Sequence, residues 1–387
     1  MFDALEPKPA DPLLKLIQQF RDDPRADKID LGVGVYRDEN GETPVMAAVK
    51  QAERRLIENQ RTKTYVGQRG DADYLRLHGE LAFGPLASEM AAFQTVGGTG
   101  ALRLGCELLR VGGAKRMLLP APSWPNHPSL IRAAGLAQAD VPFFDVAKQQ
   151  IDIDRLVDAF STIERGDGVL LQGCCHNPLG ADFNAEHWRA LADAVNASGV
   201  VPFVDVAYQG FGDGIDEDMT HVRAFLEAVP EALIAVSAAK SFGIYRERVG
   251  ALFVKTSAQG RAAATSNLAA ITRADYSMPP DHGAACVREV LGDADLRASW
   301  RAELDAIRAH IKKTRAALAD ARAGSIPMQL IAAQKGMFST LPLSPAQIDA
   351  LRDTHGIYMS GAGRINVAGL READIPRFVE ALQSVTA

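Results

Sequence analysis

Five short apolar runs recur along the middle of the chain: Arg116-Met-Leu-Leu-Pro120, Gly168-Val-Leu-Leu-Gln172, Val200-Val-Pro-Phe-Val-Asp205, Leu233-Ile-Ala-Val-Ser237 and Gly250-Ala-Leu-Phe-Val254. Helix-like stretches such as Glu186 to Ala197 lie between several of them. Alternating strands and helices predict an α/β fold with a mostly parallel sheet covered by helices. From Trp300 onward the pattern changes. Trp300, Leu304, Ile307, Ile311 and Leu318 fall at helical spacing and predict one long amphipathic helix ending near Asp320. Short strand candidates follow around Met337–Leu341 and Arg364–Val367, then a terminal helix near Pro376–Val385. This reads as a smaller α+β domain hung from the long helix. The first 42 residues do not fit the central pattern, and Pro7, Pro9 and Pro12 suggest an extended arm. The expected division is an arm (1–12), a large domain (43–305) and a small domain built from 13–42 together with 306–387.

A length of 387 residues suits two domains with a large core. The formal net charge of −6 gives no electrostatic reason to expect nucleic acid. No apolar run reaches membrane-spanning length, and the acidic start Met1-Phe-Asp-Ala-Leu-Glu6 does not read as a secretion signal. Four cysteines make no disulfide framework. Cys174 and Cys175 are adjacent in what reads as a strand and should point to opposite faces, so no metal site is expected there. A cytoplasmic location is the expectation.

Lys240 closes the apolar run Ala232-Leu-Ile-Ala-Val-Ser-Ala-Ala-Lys240, at the end of a strand where ligands bind in open α/β sheets. Such a lysine is either a solvated end residue or an amine in a dry pocket, where a lowered pKa makes it a nucleophile toward carbonyls. Asp205 sits in the run Val200 to Tyr208, where a carboxylate is costly unless paired. It is either a structural acid or the partner of a cationic ring nitrogen. Lysine and aspartate together are the pair that pyridoxal phosphate requires. Val96-Gly-Gly-Thr-Gly-Ala101 before a helix-like run suits a phosphate, although an ordinary tight turn has the same composition. It lacks the Gly-Lys-Ser/Thr of a Walker loop, and Arg103 stands at the third glycine of a dinucleotide fingerprint. Arg248 is either a surface arginine or a bidentate cation for the same phosphate.

With these residues in place, the chain resembles the aspartate and aromatic amino-acid aminotransferases of the fold-type I, pyridoxal-phosphate-dependent class. The resemblance runs through Leu31-Gly-Val-Gly-Val-Tyr36, Thr64-Tyr-Val-Gly67, Gly97-Gly-Thr-Gly-Ala101, Ser123-Trp-Pro-Asn-His127, Gly173-Cys-Cys-His-Asn-Pro178, Asp205-Val-Ala-Tyr-Gln-Gly-Phe211, Lys240-Ser-Phe-Gly-Ile-Tyr245, Glu247-Arg-Val-Gly250, Gly336-Met-Phe338 and Arg364-Ile-Asn-Val-Ala-Gly369. It implies that Lys240 bonds to the cofactor aldehyde and then moves the substrate proton. It also implies that Asp205 pairs with the ring nitrogen, backed by His127, and that Asn177 and Tyr208 bond the phenolic oxygen. Trp124 would stack on the ring. Gly98, Thr99, Ser237 and Arg248 would hold the phosphate, joined by Tyr65 of a partner subunit in a homodimer. Arg364 would grip the α-carboxylate beside Gly34 and Asn177, and Arg273 would reach across the dimer to a distal carboxylate.

Two departures stand out. Leu179 replaces the usual Thr after Asn-Pro, and Ala239 replaces the usual Ser before the lysine. The second removes a phosphate hydroxyl, a loss of roughly 1.5–3 kcal/mol for a hydrogen bond to a charged group. Met278 stands where aspartate-specific relatives tend to carry a polar residue, and a thioether there suits an aromatic ring. The expected activity is therefore transamination of aromatic amino acids or aspartate with 2-oxoglutarate; the alternative is a dedicated aspartate aminotransferase. Transcription regulators with the same fold carry an added DNA-binding module, and no basic winged-helix segment is present.

Overall fold

The structure, a computed structural model, describes residues 2–7, 12–321 and 323–386. Its centre is a seven-stranded sheet. In chain order the strands of the molecule are β1 (Ile29–Asp30), β2 (Ala91–Val96), β3 (Arg116–Ala121), β4 (Ala137–Pro142), β5 (Phe144–Asp145), β6 (Gln150–Ile151), β7 (Gly168–Gln172), β8 (Val201–Val206), β9 (Ala232–Ser237), β10 (Val249–Lys255), β11 (Phe338–Thr340), β12 (Ile357–Tyr358) and β13 (Arg364–Asn366). The large sheet runs in the order β2-β10-β9-β8-β7-β3-β4. Only β10 is antiparallel to its neighbours. All five apolar runs are strands of this sheet.

The runs are continuously apolar because both faces of the sheet are covered. Val169 and Leu171 of β7, Val204 of β8 and Val236 of β9 point into one core. The intervening Leu170, Phe203 and Ala235 point into the core on the opposite face. This is the period of two of an extended chain. The edge strands β2 and β4 carry no such run. Gln94 and Thr95 interrupt β2, and β4 is covered at only one of its six positions.

The helix expected near Glu186–Ala197 spans Ala185–Ser198. Asn184 and His187 form a reciprocal capping box at its start, and Gly199 ends it in the left-handed conformation at φ 72°. Asn184→Ala is expected to lower stability by about 1 kcal/mol in a denaturant titration, the usual cost of losing such a cap.

The long helix runs Ala294–Asp320. Its Trp300, Leu304 and Ile311 belong to the core of the large sheet, whereas Leu318 joins a separate core with Ile29, Leu341, Ile357, Ile365 and Phe378. The handover between the two cores thus falls beyond Ile311. The second core encloses two small ladders: β1 with β12, parallel, and β11 with β13, antiparallel. The terminal helix, Ile375–Thr386, packs on it. At the other end of the chain, Phe2–Ala4 form a single 3-10 turn and Pro12 opens the helix Pro12–Asp22. Residues 5–7 carry no regular structure, and the remainder of the expected arm, including Pro9, lies outside the described residues.

One local expectation is corrected. Cys174 and Cys175 follow β7 in a bend, not a strand. A φ of 53° at Cys175 reverses the chain there, so both thiols and Asp218 come within 4.8 Å of one another. The Asp218 carboxylate is already filled by the backbone N–H groups of Gly210, Gly212, Asp213 and Gly214, which leaves it no lone pair aimed at a metal. Among the described residues no helix is long and apolar enough to cross a membrane.

Candidate active site

The strand ends β7, β8 and β9 deliver Gln172, Asp205 and Ser237 side by side. Gln172 is the register partner of Asp205, and Asp205 that of Ala235. One cavity at these ends is lined by Gly98, Thr99, Trp124, Asn177, Asp205, Tyr208, Ser237, Lys240 and Arg248, among others. Nine residues expected to hold a cofactor are thereby brought together.

On the sheet side of the cavity Asp205 is buried, at 7% exposure. Its Oδ2 lies 3.1 Å from His127 Nε2. His127 is itself held by Ser123 Oγ, 2.8 Å from Nδ1. Gln172 closes this layer: its amide donates to Ser123 Oγ and to the Asn177 carbonyl, and its Oε1 accepts from the Asn177 N–H. Asn177 Nδ2 in turn donates to Tyr208 OH at 3.3 Å. Gln172 was not among the expected site residues. A polar side chain closing an apolar run, as Asp205 does next door, is the signal that marks it.

Lys240 Nζ sits 4.9 Å above the centre of the Tyr208 ring. Burial lowers its pKa, and Asp205 partly offsets that while Arg248 adds to it. The turn after Lys240 is clamped from the long helix. Trp300 Nε1 donates to the Ser241 carbonyl at 2.7 Å, and the Trp300 and Phe242 rings stack 4.6 Å apart. Burial also raises the Tyr208 hydroxyl well above its ordinary pKa, so it stays protonated at neutral pH.

On the opposite side the helix Gly97–Val111 aims its N-terminus at the cavity. Its glycines are required by geometry. Gly97 sits at φ 68°, and a Cβ on it would meet the Arg248 guanidinium at 2.7 Å. A Cβ on Gly98 would lie 3.1 Å from Ser237 Cβ. The Gly97 N–H donates to the Arg248 carbonyl. Helix N–H groups, two hydroxyls and a guanidinium thus converge, which is the donor set for a dianion. The departure at Ala239 leaves Ser237 as the hydroxyl of that loop, and Ser237 Oγ accepts from the Ala239 N–H. Leu179 is fully buried in the large core.

Arg364 enters from β13 of the smaller core. Its Nη1 donates to Asn177 Oδ1 at 3.2 Å and its Nη2 to the Gly32 carbonyl at 2.6 Å. The guanidinium lies 4.6 Å over the Phe338 ring, and Phe338 meets Tyr208 edge to face. Gly34 is needed where it stands because a Cβ would come within 2.8 Å of Phe338. Burial lowers the Arg364 pKa, and its Nε is buried without a partner.

Arg364 and Gly34 adjoin this cavity through Asn177 and Phe338 without lining it, and three further expected site residues lie away from it. Tyr65 is 90% exposed. Beside it, the Val66 N–H donates to Met278 Sδ at 3.2 Å, and Arg273, exposed, bonds Ser277 Oγ. Through the neighbouring Val66 and Ser277, the exposed Tyr65 and Arg273 and the half-buried Met278 thus belong to adjoining segments.

The family model for class I and II aminotransferases matches residues 26–382. A tyrosine aminotransferase of Rhizobium meliloti is 49% identical over 378 residues, 97% of each chain. An aspartate aminotransferase of Escherichia coli is 40% identical over 395 residues, all of each chain. The solved structure of an aromatic-amino-acid aminotransferase from Burkholderia pseudomallei, covalently bound to pyridoxal phosphate, superposes with a TM-score of 0.95 at 38% identity over the whole of both chains. With its mostly parallel sheet, its strand-end lysine and this match over nearly its full length, the chain belongs to the class I and II aminotransferases.

Proposed function

We propose that this aminotransferase moves the amino group between aromatic amino acids or aspartate and 2-oxoglutarate, using pyridoxal phosphate in a cytoplasmic homodimer. The observation that carries the reading is the pairing, in one cavity, of a desolvated Lys240 with a buried Asp205, opposite an anion cradle built on Gly97 and Arg248. The donor set fits the cofactor: amine for aldehyde, carboxylate for ring nitrogen, helix end and guanidinium for phosphate. When bound, pyridoxal phosphate supplies a carbonyl carbon for the amine and a ring that accepts the electron pair left when a substrate Cα–H bond breaks.

The chain's own groups do the rest. Lys240 Nζ, whose pKa burial lowers, would be the nucleophile toward the cofactor aldehyde and then the base that moves the proton between the substrate Cα and the former aldehyde carbon. Asp205, oriented by His127, holds a proton on the ring nitrogen. Asn177 and the protonated Tyr208 hydroxyl donate to the phenolic oxygen, and Trp124 covers the ring face. Gly98, Thr99, Ser237 and Arg248 bind the phosphate. Arg364, whose Nε lacks an acceptor, takes the substrate carboxylate, with Gly34 leaving room and Asn177 fixing the guanidinium.

Tyr65 and Arg273 are read as donated across a two-fold interface, with Met278 beside them at the distal end of the substrate pocket. Their place on adjoining segments and the 90% exposure of Tyr65 support this. In a closed two-fold dimer each appears reciprocally at the partner's site. Mixing Lys240→Ala with Arg273→Ala subunits is expected to restore dicarboxylate turnover in the heterodimer, because one of its two sites keeps both residues. Absence of rescue in verified heterodimers, or an active monomer in sedimentation, would count against shared sites. The division into a large domain and a small domain carrying Arg364 is supported by the separate hydrophobic cores. The four free, buried cysteines agree with a reducing cytoplasm.

Half-reactions of the holoenzyme with aspartate, glutamate, phenylalanine and tyrosine test the substrate reading. All four are expected to discharge the cofactor's visible absorbance. Undetectable reaction with phenylalanine and tyrosine would leave a dedicated aspartate aminotransferase.

A further inference from the structure

Away from the lysine cavity, the helices Ala47–Asn59 and His282–Gly292 pack against each other and bring a carboxylate, an imidazole and a thiol together. His282 and Cys286, four residues apart, share one helix face. Cys286 Sγ lies 3.9 Å from His282 Nε2, and His282 Nε2 lies 3.9 Å from Glu53 Oε1. All three atoms fall within 4.8 Å of one another. A tetrahedral ion bonded at about 2.3 Å to sulfur and about 2.0–2.1 Å to nitrogen and oxygen sets its sulfur and nitrogen ligands about 3.6 Å apart, and nitrogen and oxygen about 3.4 Å. For the two pairs that include His282, closing the gap takes roughly half an ångström or less, and the sulfur–carboxylate pair, within 4.8 Å, closes by about an ångström at most. The half-exposed His282 and Glu53 side chains, at 46% and 38%, are free to supply it.

The surroundings also ask for a cation. Burial first, and then the negative charges of Glu53, Glu247, Glu289 and Asp281, push the Cys286 thiol up to about 12. Asp281 Oδ1, next to His282, is buried without a hydrogen-bond partner. Arg288, on the same helix as His282 and Cys286, is already engaged by Asp71 and Glu289. A thiolate, an imidazole and a carboxylate with a fourth place open to water form a donor set for zinc-class ions, whereas magnesium and calcium prefer all-oxygen sites.

We propose that Glu53, His282 and Cys286 bind one zinc-class divalent ion, with the thiol proton released to solvent. The ion would tie together the two helices that flank the Tyr65 and Met278 segments. The first helix leads into Tyr65, and the second starts four residues after Met278. The sequence hides the site because Glu53 is more than two hundred residues from its partners.

Chelator-treated holoenzyme titrated with Co2+ tests this. The expected result is saturation at one ion per chain, with visible bands of four-coordinate cobalt and a near-ultraviolet thiolate-to-metal band in the difference spectrum. Zn2+ should displace the colour. Cys286→Ser should lose the thiolate band, and His282→Gln should lose saturable uptake, while both keep normal transamination. Should the buried serine prevent folding, His282→Gln and Glu53→Gln at the surface decide the matter. No saturable uptake by the unmodified enzyme, uptake without a thiolate band, or an unchanged spectrum in His282→Gln would overturn the proposal.

Discussion

Lys240→Ala is expected to keep pyridoxal phosphate in its cavity yet lose turnover by roughly 10⁴-fold or more, the combined scale of a lost nucleophile and a lost general base. The cradle of Gly98, Thr99, Ser237 and Arg248 does not involve the amine, which is why binding should survive. Stopped-flow half-reactions with glutamate separate the two effects. A variant that binds cofactor and retains a tenth of the normal rate would mean that another group moves the proton. Tyr208 is the first to suspect, since its ring lies 4.9 Å below the lysine nitrogen. Its raised pKa argues against that role at neutral pH.

Arg273→Leu is expected to divide the substrates. A dicarboxylate loses its distal partner, and breaking a charge pair in a closed pocket costs about 3 kcal/mol or more in kcat/KM, roughly a hundredfold. Phenylalanine should lose little or improve, because an aromatic side chain leaves the guanidinium unpaired and forces it outward. Arg273 is exposed and its guanidinium bonds Ser277, so it has room to swing. Met278→Asn should act in the opposite sense and cost phenylalanine more than aspartate. Equal losses on both classes for Arg273→Leu would make the residue structural.

Much of this architecture was legible because burial on both faces of a parallel sheet leaves unbroken apolar runs. Polar residues that interrupt their ends, such as Asp205 and Lys240, then become conspicuous. The edge strands were not legible, since β4 is largely uncovered and β2 is broken by Gln94 and Thr95. Arg315 shows another limit. Its spacing from Ile311 and Leu318 puts it on the buried stripe of the long helix, where a charge looks out of place. In the fold its guanidinium is buried, and its two Nη groups donate to Ser339 Oγ and to the carbonyls of Ile331, Lys335, Gly336 and Phe338, while its Nε has no partner among the described residues. Those acceptors lie on a 3-10 turn, the loop after it and β11, an arrangement that the spacing along the helix does not announce. The same contact fixes Phe338, which lies under Arg364 and against Tyr208, so a residue of the long helix helps shape the site. The bend at Cys175 was also invisible, because a positive φ at a cysteine has no sequence signature.

The central claim is that Lys240 is the amine that holds the cofactor. Borohydride reduction of the yellow holoenzyme followed by peptide mapping tests it most directly. The reduced cofactor is expected on Lys240 at one per chain; a label on any other lysine, or none with saturating pyridoxal phosphate, would contradict it.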